Sequence, residues 1–187
     1  MKVTWDAIDA ATWDAHHART GAALQQDWAY GACMKTLGVH VLRAWVSRDS
    51  APVALAQFIV RYFAGQLASM ALCSLGPVWL APVTAKEKER IYQTLKKTIP
   101  LNKLRVMLFT PAEEAGADLG LSPWRKVMTG QSSVMLDITK SLPDLRAGLD
   151  KRWRHRLGGA ENSDLTIHRV GTCLLYTSDA ADDLTRV

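Results

Sequence analysis

The sequence predicts an α/β fold with a mixed sheet, α+β in its layering, and three observations predict it. The elements run in the order α-β-β-β-α-β-α-β-α-β, so several strands follow one another directly before a strand-helix-strand crossover begins. That order suits antiparallel pairing extended by a crossover better than a doubly wound parallel sheet. No glycine-rich dinucleotide loop or Walker loop argues otherwise. The length agrees, because roughly 170 residues, the whole chain less a foreign tail, fit one domain with a real core.

From Ala22 to Leu37 the pattern is helical, with Leu24, Trp28, Gly31 and Lys35 on one face of a 3.6-residue period, and Gly38 closes it as a C-terminal glycine. Val39–Val46 reads as a strand, followed by the turn-rich Ser47-Arg48-Asp49-Ser50-Ala51-Pro52. Val53–Phe63 is a second strand, Gly65 marks a hairpin, and Gln66–Ser74 is a third, which Gly76-Pro77 breaks and Val78-Trp79-Leu80 continues. Thr84-Ala85-Lys86-Glu87 is a capping box that opens a helix over Ala85–Lys97, ended by Pro100. Leu104–Phe109 is a compact apolar strand. Pro111-Ala112-Glu113-Glu114 opens a short helix ending near Gly116 or Gly120, and Ser132–Ile138 gives a further strand. Ser141-Leu142-Pro143-Asp144 caps a helix running to about Leu157 with its proline in the first turn. Asp164–Val170 reads as the next strand. Thr4-Trp5-Asp6-Ala7 recurs as Thr12-Trp13-Asp14-Ala15, but the echo does not continue and reads as chance, since solenoid periods are much longer.

From Cys173 the chain reads Cys-Leu-Leu-Tyr-Thr-Ser-Asp-Ala-Ala-Asp-Asp, which resembles the translation of a transposon-type sequencing adapter over eleven consecutive residues. Segments of that kind are set aside in fold reasoning. The expectation is that 173–187 is a non-native tail. That tail carries a net −2 within the total of +5, so the remainder carries +7. A positive balance suits an anionic partner but says nothing about fold. Cys33 and Cys73 sit among apolar neighbours and read as reduced, buried thiols. No C-x-x-C pair supports a zinc ribbon or thioredoxin-like site. The N-terminus lacks the apolar stretch of a secretory leader, and no run approaches the ~18 apolar residues of a membrane span, so the expected localisation is cytoplasmic.

Lys35 is the most informative single side chain, because it shares a helix face with Leu24 and Trp28 where a buried stripe would carry another apolar residue. It either snorkels over apolar surface or meets a phosphate or carboxylate. The second constellation is Lys151-Arg152-Trp153-Arg154-His155-Arg156, near the end of its helix, where cations suit the macrodipole. A solvated basic helix end explains it, as does contact with an RNA backbone or pyrophosphate, arginine pairing with phosphate oxygens and Trp153 stacking. Gly76-Pro77-Val78-Trp79 fits a strand-end bulge or a close ligand approach. His16, His17, His40 and His168 lack metal-ligand spacing. No G-x-S-x-G or other nucleophile motif is present, so the catalytic residues stay unassigned.

Several of these pieces coincide. Leu24-Gln25-Gln26-Asp27-Trp28-Ala29-Tyr30-Gly31 with Lys35, then Leu75-Gly76-Pro77-Val78-Trp79-Leu80, Thr129-Gly130-Gln131-Ser132-Ser133, Leu136-Asp137-Ile138 and Lys151-Arg152-Trp153-Arg154 together resemble the N-terminal half of the FemAB family of peptidoglycan-bridge aminoacyltransferases, over about Gln25 to Glu161. The resemblance implies two GNAT-like α/β domains that use aminoacyl-tRNA to acylate an amine on a lipid-linked or nucleotide-linked cell-wall precursor. It implies that Lys35 meets precursor phosphate and that Arg152 and Arg154 belong to the family's basic helix. Gly158-Gly159 departs from the family pattern and is expected to end that helix early.

On this reading 1–140 is a GNAT-like domain, 141–172 is a connecting basic helix with the first strand of a truncated second domain, and the fragment alone is inactive for want of the inter-domain cleft. The chemistry is attack of an amine on an activated carbonyl, which needs positioning and oxyanion stabilisation above all. No cofactor or metal is expected, and the acyl donor is aminoacyl-tRNA or acyl-CoA. The partners are a cell-wall precursor or other amine, tRNA, and peripherally the inner face of the membrane. Two alternatives stand beside it: an acyl-CoA-dependent GNAT-type N-acyltransferase, which would favour a glycine-rich pyrophosphate turn opening a helix, and a non-catalytic basic binding module.

Overall fold

The computed structural model describes residues 1–114, 116–121, 124–128 and 136–164. Two compact units divide the chain at Gln131/Ser132. The motif at 129–133, most of the strand expected over Ser132–Ile138, all but the first residue of the one over Asp164–Val170, and the whole adapter-like tail lie outside the described residues.

The first unit is a six-stranded sheet with helices on both faces. Its elements are β1 (Lys2–Trp5), α1 (Ala10–His17), a 3-10 turn (Leu24–Gln26), α2 (Trp28–Thr36), β2 (His40–Arg48), β3 (Ala51–Phe63), β4 (Ala68–Ser74), β5 (Val78–Trp79), α3 (Ala85–Thr98) and β6 (Arg105–Thr110). The strand order is β1-β2-β3-β4-β6, with β5 also on β3. β1 through β4 are antiparallel neighbours, and the crossover through α3 brings β6 parallel to β4, Ser69 opposite Arg105 through Ser74 opposite Thr110. Antiparallel strands followed by a crossover are therefore observed as expected.

Alternation along β2 and β3 sends side chains to two cores. Leu42, Ala44, Val46, Ala56 and Phe58 pack on one face against Ile91, Leu95 and Ile99 of and beyond α3. Leu55 packs on the other face with Val78 and Trp13 of α1, and Trp28 and Trp45 complete that layer. Because both faces are covered, β2 is buried almost continuously from Val41 to Val46, as strands between two helical layers are. The α3 capping box forms as its sequence dictates, Thr84 Oγ1 accepting from Glu87 N and the Glu87 carboxylate accepting from Thr84 N; Ile99 then turns extended before Pro100.

Several expectations are corrected. β1 and α1 exist where no element is expected, and the repeated Thr-Trp-Asp-Ala tetrapeptide falls partly in a strand and partly in a helix. The helix expected over Ala22–Leu37 is broken at Asp27, whose extended backbone and side chain cap α2 through Ala29 N. Leu24 thus precedes the helix and is exposed, and Trp28 is half-buried rather than central. Cys33 is exposed on α2 rather than buried, and Cys73 alone is enclosed. No helix follows Pro111 among the described residues; Glu113 is instead committed to a long-range ion pair with Lys88.

In the second unit, the single helix expected from Ser141 to Leu157 is two: α4 (Leu142–Gly148), capped by Ser141, and α5 (Lys151–Glu161), capped by Asp150 Oδ1 accepting from Arg152 N. Leu149 is extended between them. α5 runs through Gly158-Gly159 to Glu161, so those glycines do not end it. Both Arg146 terminal nitrogens donate to the Glu161 carboxylate, at 2.7 and 2.6 Å, and clamp the two helices together. Leu136–Ile138 forms no strand; Asp137 Oδ1 accepts from Thr139 N and Oγ1 in a turn.

Candidate functional site

Lys35 lies in the last turn of α2 with its side chain exposed, in the first unit. Arg152 and Arg154 lie on α5 in the second, both exposed, and Trp153 between them is 64% exposed. Arg152 and Arg154 share the N-terminal half of one short helix, not its end as expected, because Asp150 starts α5 just before them, so the macrodipole does not favour their charges; Lys35 stands on a different unit.

What the structure does bring together are two motifs distant in sequence, Gln25–Gly31 and Leu75–Leu80. The pairing of β3 with its neighbour is interrupted: β4 pairs up to Ile59 opposite Leu72, β5 resumes at Leu55 opposite Val78, and five residues face three across the gap. Gln57 sits at the centre of that gap. The side-chain amide of Gln26, fully buried, occupies the place of a backbone peptide: Oε1 accepts from Gln57 N at 2.7 Å, and Nε2 donates to Gln57 O at 3.2 Å and Ser74 O at 2.7 Å. Buried backbone groups left unpaired would each cost about 1–3 kcal/mol, so this one side chain closes a break that strand pairing leaves open. Its own carbonyl accepts from Trp13 Nε1 at 2.9 Å.

The Gln57 side chain continues the network, donating from Nε2 to the carbonyls of Gln25 and Asp27 and accepting from Arg43 Nε at 2.8 Å. Arg43, only 3% exposed, also donates to Trp28 O and stacks on the Trp28 ring at 3.6 Å. Burial pulls its pKa down, with the charges of Asp6 and Asp14 opposing, and an arginine stays charged regardless. Two glycines make the fit possible. A Cβ on Gly31 would stand 2.1 Å from Gln57 Oε1, and one on Gly76 2.7 Å from Gln26 Cδ. Cys73 lies beneath this network, its thiol pushed well up by burial and eased slightly by Gln26; it is inert chemically in that state.

A second cluster sits at the carboxyl end of β6. Glu113 Oε1 accepts from both Lys88 Nζ and Trp79 Nε1, each at 2.7 Å. Tyr92, Phe109 and Trp124 stack edge to face around it, and burial, with Cys73 and Glu113 adding, drives the Tyr92 hydroxyl far above its ordinary range. A tyrosine held neutral there is an anchor of the α3 interface.

Arg43, Gln57, Lys88 and Glu113 escape sequence reasoning. The available signal for the first two is a lone polar residue inside an apolar run, Val41-Leu42-Arg43-Ala44-Trp45 and Ala56-Gln57-Phe58, on strands that pair them. His17 is buried against Ala23 O and Asp27, and His16 stands edge-on to Trp45, so the histidines of the first helix are packed residues. Among the described residues no cluster of three or more histidine, cysteine or carboxylate side chains is placed to hold a metal, and no helix is long and apolar enough to cross a membrane.

The first unit is thus a mixed α/β domain whose sheet is sealed by a glutamine and arginine network. Compared with solved structures, the chain matches a crystal structure of FemX at 21% identity and a TM-score of 0.41, over 52% of this chain and 23% of that one. The chain therefore spans less than a quarter of the FemX chain in the match. No protein-family model and no curated protein matches it.

Proposed function

We propose that this chain is the N-terminal part of a FemAB-like transferase, GNAT-like over 1–140, whose whole protein acylates an amine on a cell-wall precursor with aminoacyl-tRNA as donor. The observation that supports this reading is the interlock of the two best-formed motifs behind the resemblance. Chance matches have no reason to touch, yet Gln26 of one motif and Gly76 of the other fit each other to the limit of contact.

The reaction joins the amine nitrogen to the acyl carbonyl carbon, breaks the ester bond to the tRNA ribose, and passes the proton lost by the amine to the departing ribose oxygen. The protein's share is orientation and stabilisation of the developing oxyanion. In this reading Lys35 meets precursor phosphate, and Arg152 and Arg154 meet a polyanion, with Trp153 available to stack. Acyl-CoA is the weaker donor. The N-terminus of α3, which follows the antiparallel strands, is filled by its own capping box, and the Glu87 carboxylate there is paired with Arg48; a pyrophosphate would meet a like charge at the position where a free helix N-terminus would attract it.

The test is tRNA binding by this chain across a salt series, beside the variant carrying Arg152→Gln and Arg154→Gln. The expected result is weaker binding with a salt slope flatter by roughly 0.7–0.9 for each phosphate that the variant no longer neutralises. An unchanged slope would leave the arginines as a solvated helix face and remove them as tRNA contacts. Saturable binding of coenzyme A without any of tRNA would favour the acyl-CoA reading.

A further inference from the structure

The burial of β4 alternates without a break: Ser69, Ala71 and Cys73 are buried, and Ala68, Met70, Leu72 and Ser74 between them are half-exposed. Ala71 and Cys73 belong to the core under α3, so the half-exposed set leaves the opposite face. Register carries that face across three strands, with Ile59 of β3, Leu72 and Leu108 of β6 in one row and Arg61, Met70 and Val106 in the next. On this side α2 lies over β2 and β3, Gly31 pressing on Gln57 and Arg43. Beyond it the face is open: Val106 is 56% exposed, and Phe63, two residues past Arg61, is 52% exposed. A sheet face that meets water ordinarily carries polar residues at the alternate positions. This one carries isoleucine, methionine, leucine and valine, the composition of a covered face.

Dimensions select the kind of cover. Two inter-strand gaps separate β3 from β6, about 10 Å in all, which is the width of one α-helix. Helices also cover the rest of this sheet. Charge selects the sign of the cover. Arg61 stands exposed in the middle of the open face and forms no ion pair among the described residues. A helix laid along β4 would draw the Arg61 guanidinium out of water, and a carboxylate on that helix offsets the loss where a cation would deepen it. A second copy of this chain is the poorer occupant. It would bring Arg61 towards its own counterpart on a molecule of net charge +5, and like charges across an interface suppress association.

We infer that the open face of β3, β4 and β6 docks an acidic amphipathic helix of a partner protein, with the apolar stripe of that helix along Met70 and Leu72 and a carboxylate on Arg61. The inference does not rest on the transferase reading. The probes are two peptides of about 18 residues, long enough to hold a helix in water, with leucine at i, i+3, i+4 and i+7 spacing. One carries glutamate and alanine at the other positions, its counterpart lysine and alanine. In an amide NMR titration of the chain, the acidic peptide should bind saturably, with shifts confined to Ile59–Phe63, Ala68–Leu72 and Arg105–Leu108, and the basic one roughly tenfold more weakly or worse. Val106→Asp should cost the acidic peptide roughly tenfold in affinity, since it sets an unpaired carboxylate under the apolar stripe. Arg61→Glu should invert the preference so that the basic peptide binds more tightly, a reversal that mere destabilisation does not produce. No saturable binding of the acidic peptide, shifts centred on another surface, or an acidic preference that survives Arg61→Glu would overturn the inference. So would a dimer in analytical ultracentrifugation that Val106→Asp dissociates, which would give the face to a second copy.

Discussion

Gly31→Ala is the substitution whose sign is hardest to obtain by any route other than the buried network. Judged as a helix residue, Gly31 in the middle of α2 should improve on change to alanine by about 1 kcal/mol. The geometry reverses that. The new Cβ would stand 2.1 Å from Gln57 Oε1 and 2.6 Å from Arg43 Nη2, and Gln57 cannot step aside without giving up its bonds to Arg43, Gln25 and Asp27. Two neutral hydrogen bonds at about 1 kcal/mol each and one to a charged group at about 2 kcal/mol come to about 4 kcal/mol. After the helix term is returned, a net loss of about 3 kcal/mol remains, or roughly 6–12 °C in Tm for a chain of this size. Thermal denaturation followed by circular dichroism measures it. Gly159→Ala in α5, where an added Cβ meets nothing within 4 Å, is the control and should raise helicity. A Gly31→Ala protein that melts at or above the parent temperature would refute the claim that Gln57 is fixed in place.

Lys35→Met should leave Tm within about 1 °C, as exposed substitutions do, while weakening binding of a nucleotide-linked cell-wall precursor; unchanged binding would remove Lys35 as a phosphate contact. Native-state alkylation followed by peptide mass spectrometry should label exposed Cys33 and spare Cys73, because burial raises the Cys73 pKa and so withholds its thiolate at neutral pH; labelling of both at similar rates would contradict the packing. The Glu87 pKa is lowered by the hydrogen bonds from Thr84 N and Oγ1 and by Arg48, so its stabilising effect is full above the unfolded value of a glutamate and disappears as pH falls through the lowered folded one. Glu87→Gln should therefore reduce the acid sensitivity of Tm below about pH 4.5, and identical pH profiles would count against the capping box as its source.

The parts of the fold legible in the sequence are those where one local rule acts alone. Thr84 and Glu87 specify the start of α3, and Gly76-Pro77 interrupts a strand that β5 resumes along the same edge of β3. Local rules fail where a distant group claims a residue. Asp27 ends the expected long helix because Gln26 must turn its amide into the sheet. Pro111-Ala112-Glu113-Glu114 has the composition of a helix start, but Glu113 is held by Lys88 and Trp79. The strand β1 is only four residues long, and α1 carries a mixed pattern, Ala-Ala-Thr-Trp-Asp-Ala-His-His, in which only Trp13 and His17 are buried. Of the candidate site, the sequence exposes the charges of α5 and the isolated Lys35, whereas the contact between the two motifs depends on register, which no single segment encodes.

Gln26 belongs to no strand, yet without it the sheet cannot be completed. Asparagine would fall one methylene short of Gln57 and Ser74, glutamate would bring no N–H to donate, and leucine would strand three main-chain groups at the centre of the sheet. Any fragment that starts after Gln26 would therefore lack an internal part rather than a terminal ornament. An autonomously folding piece must reach back at least to Gln26, and a peptide spanning α1 to α2 supplied separately should act as the missing piece in fragment complementation.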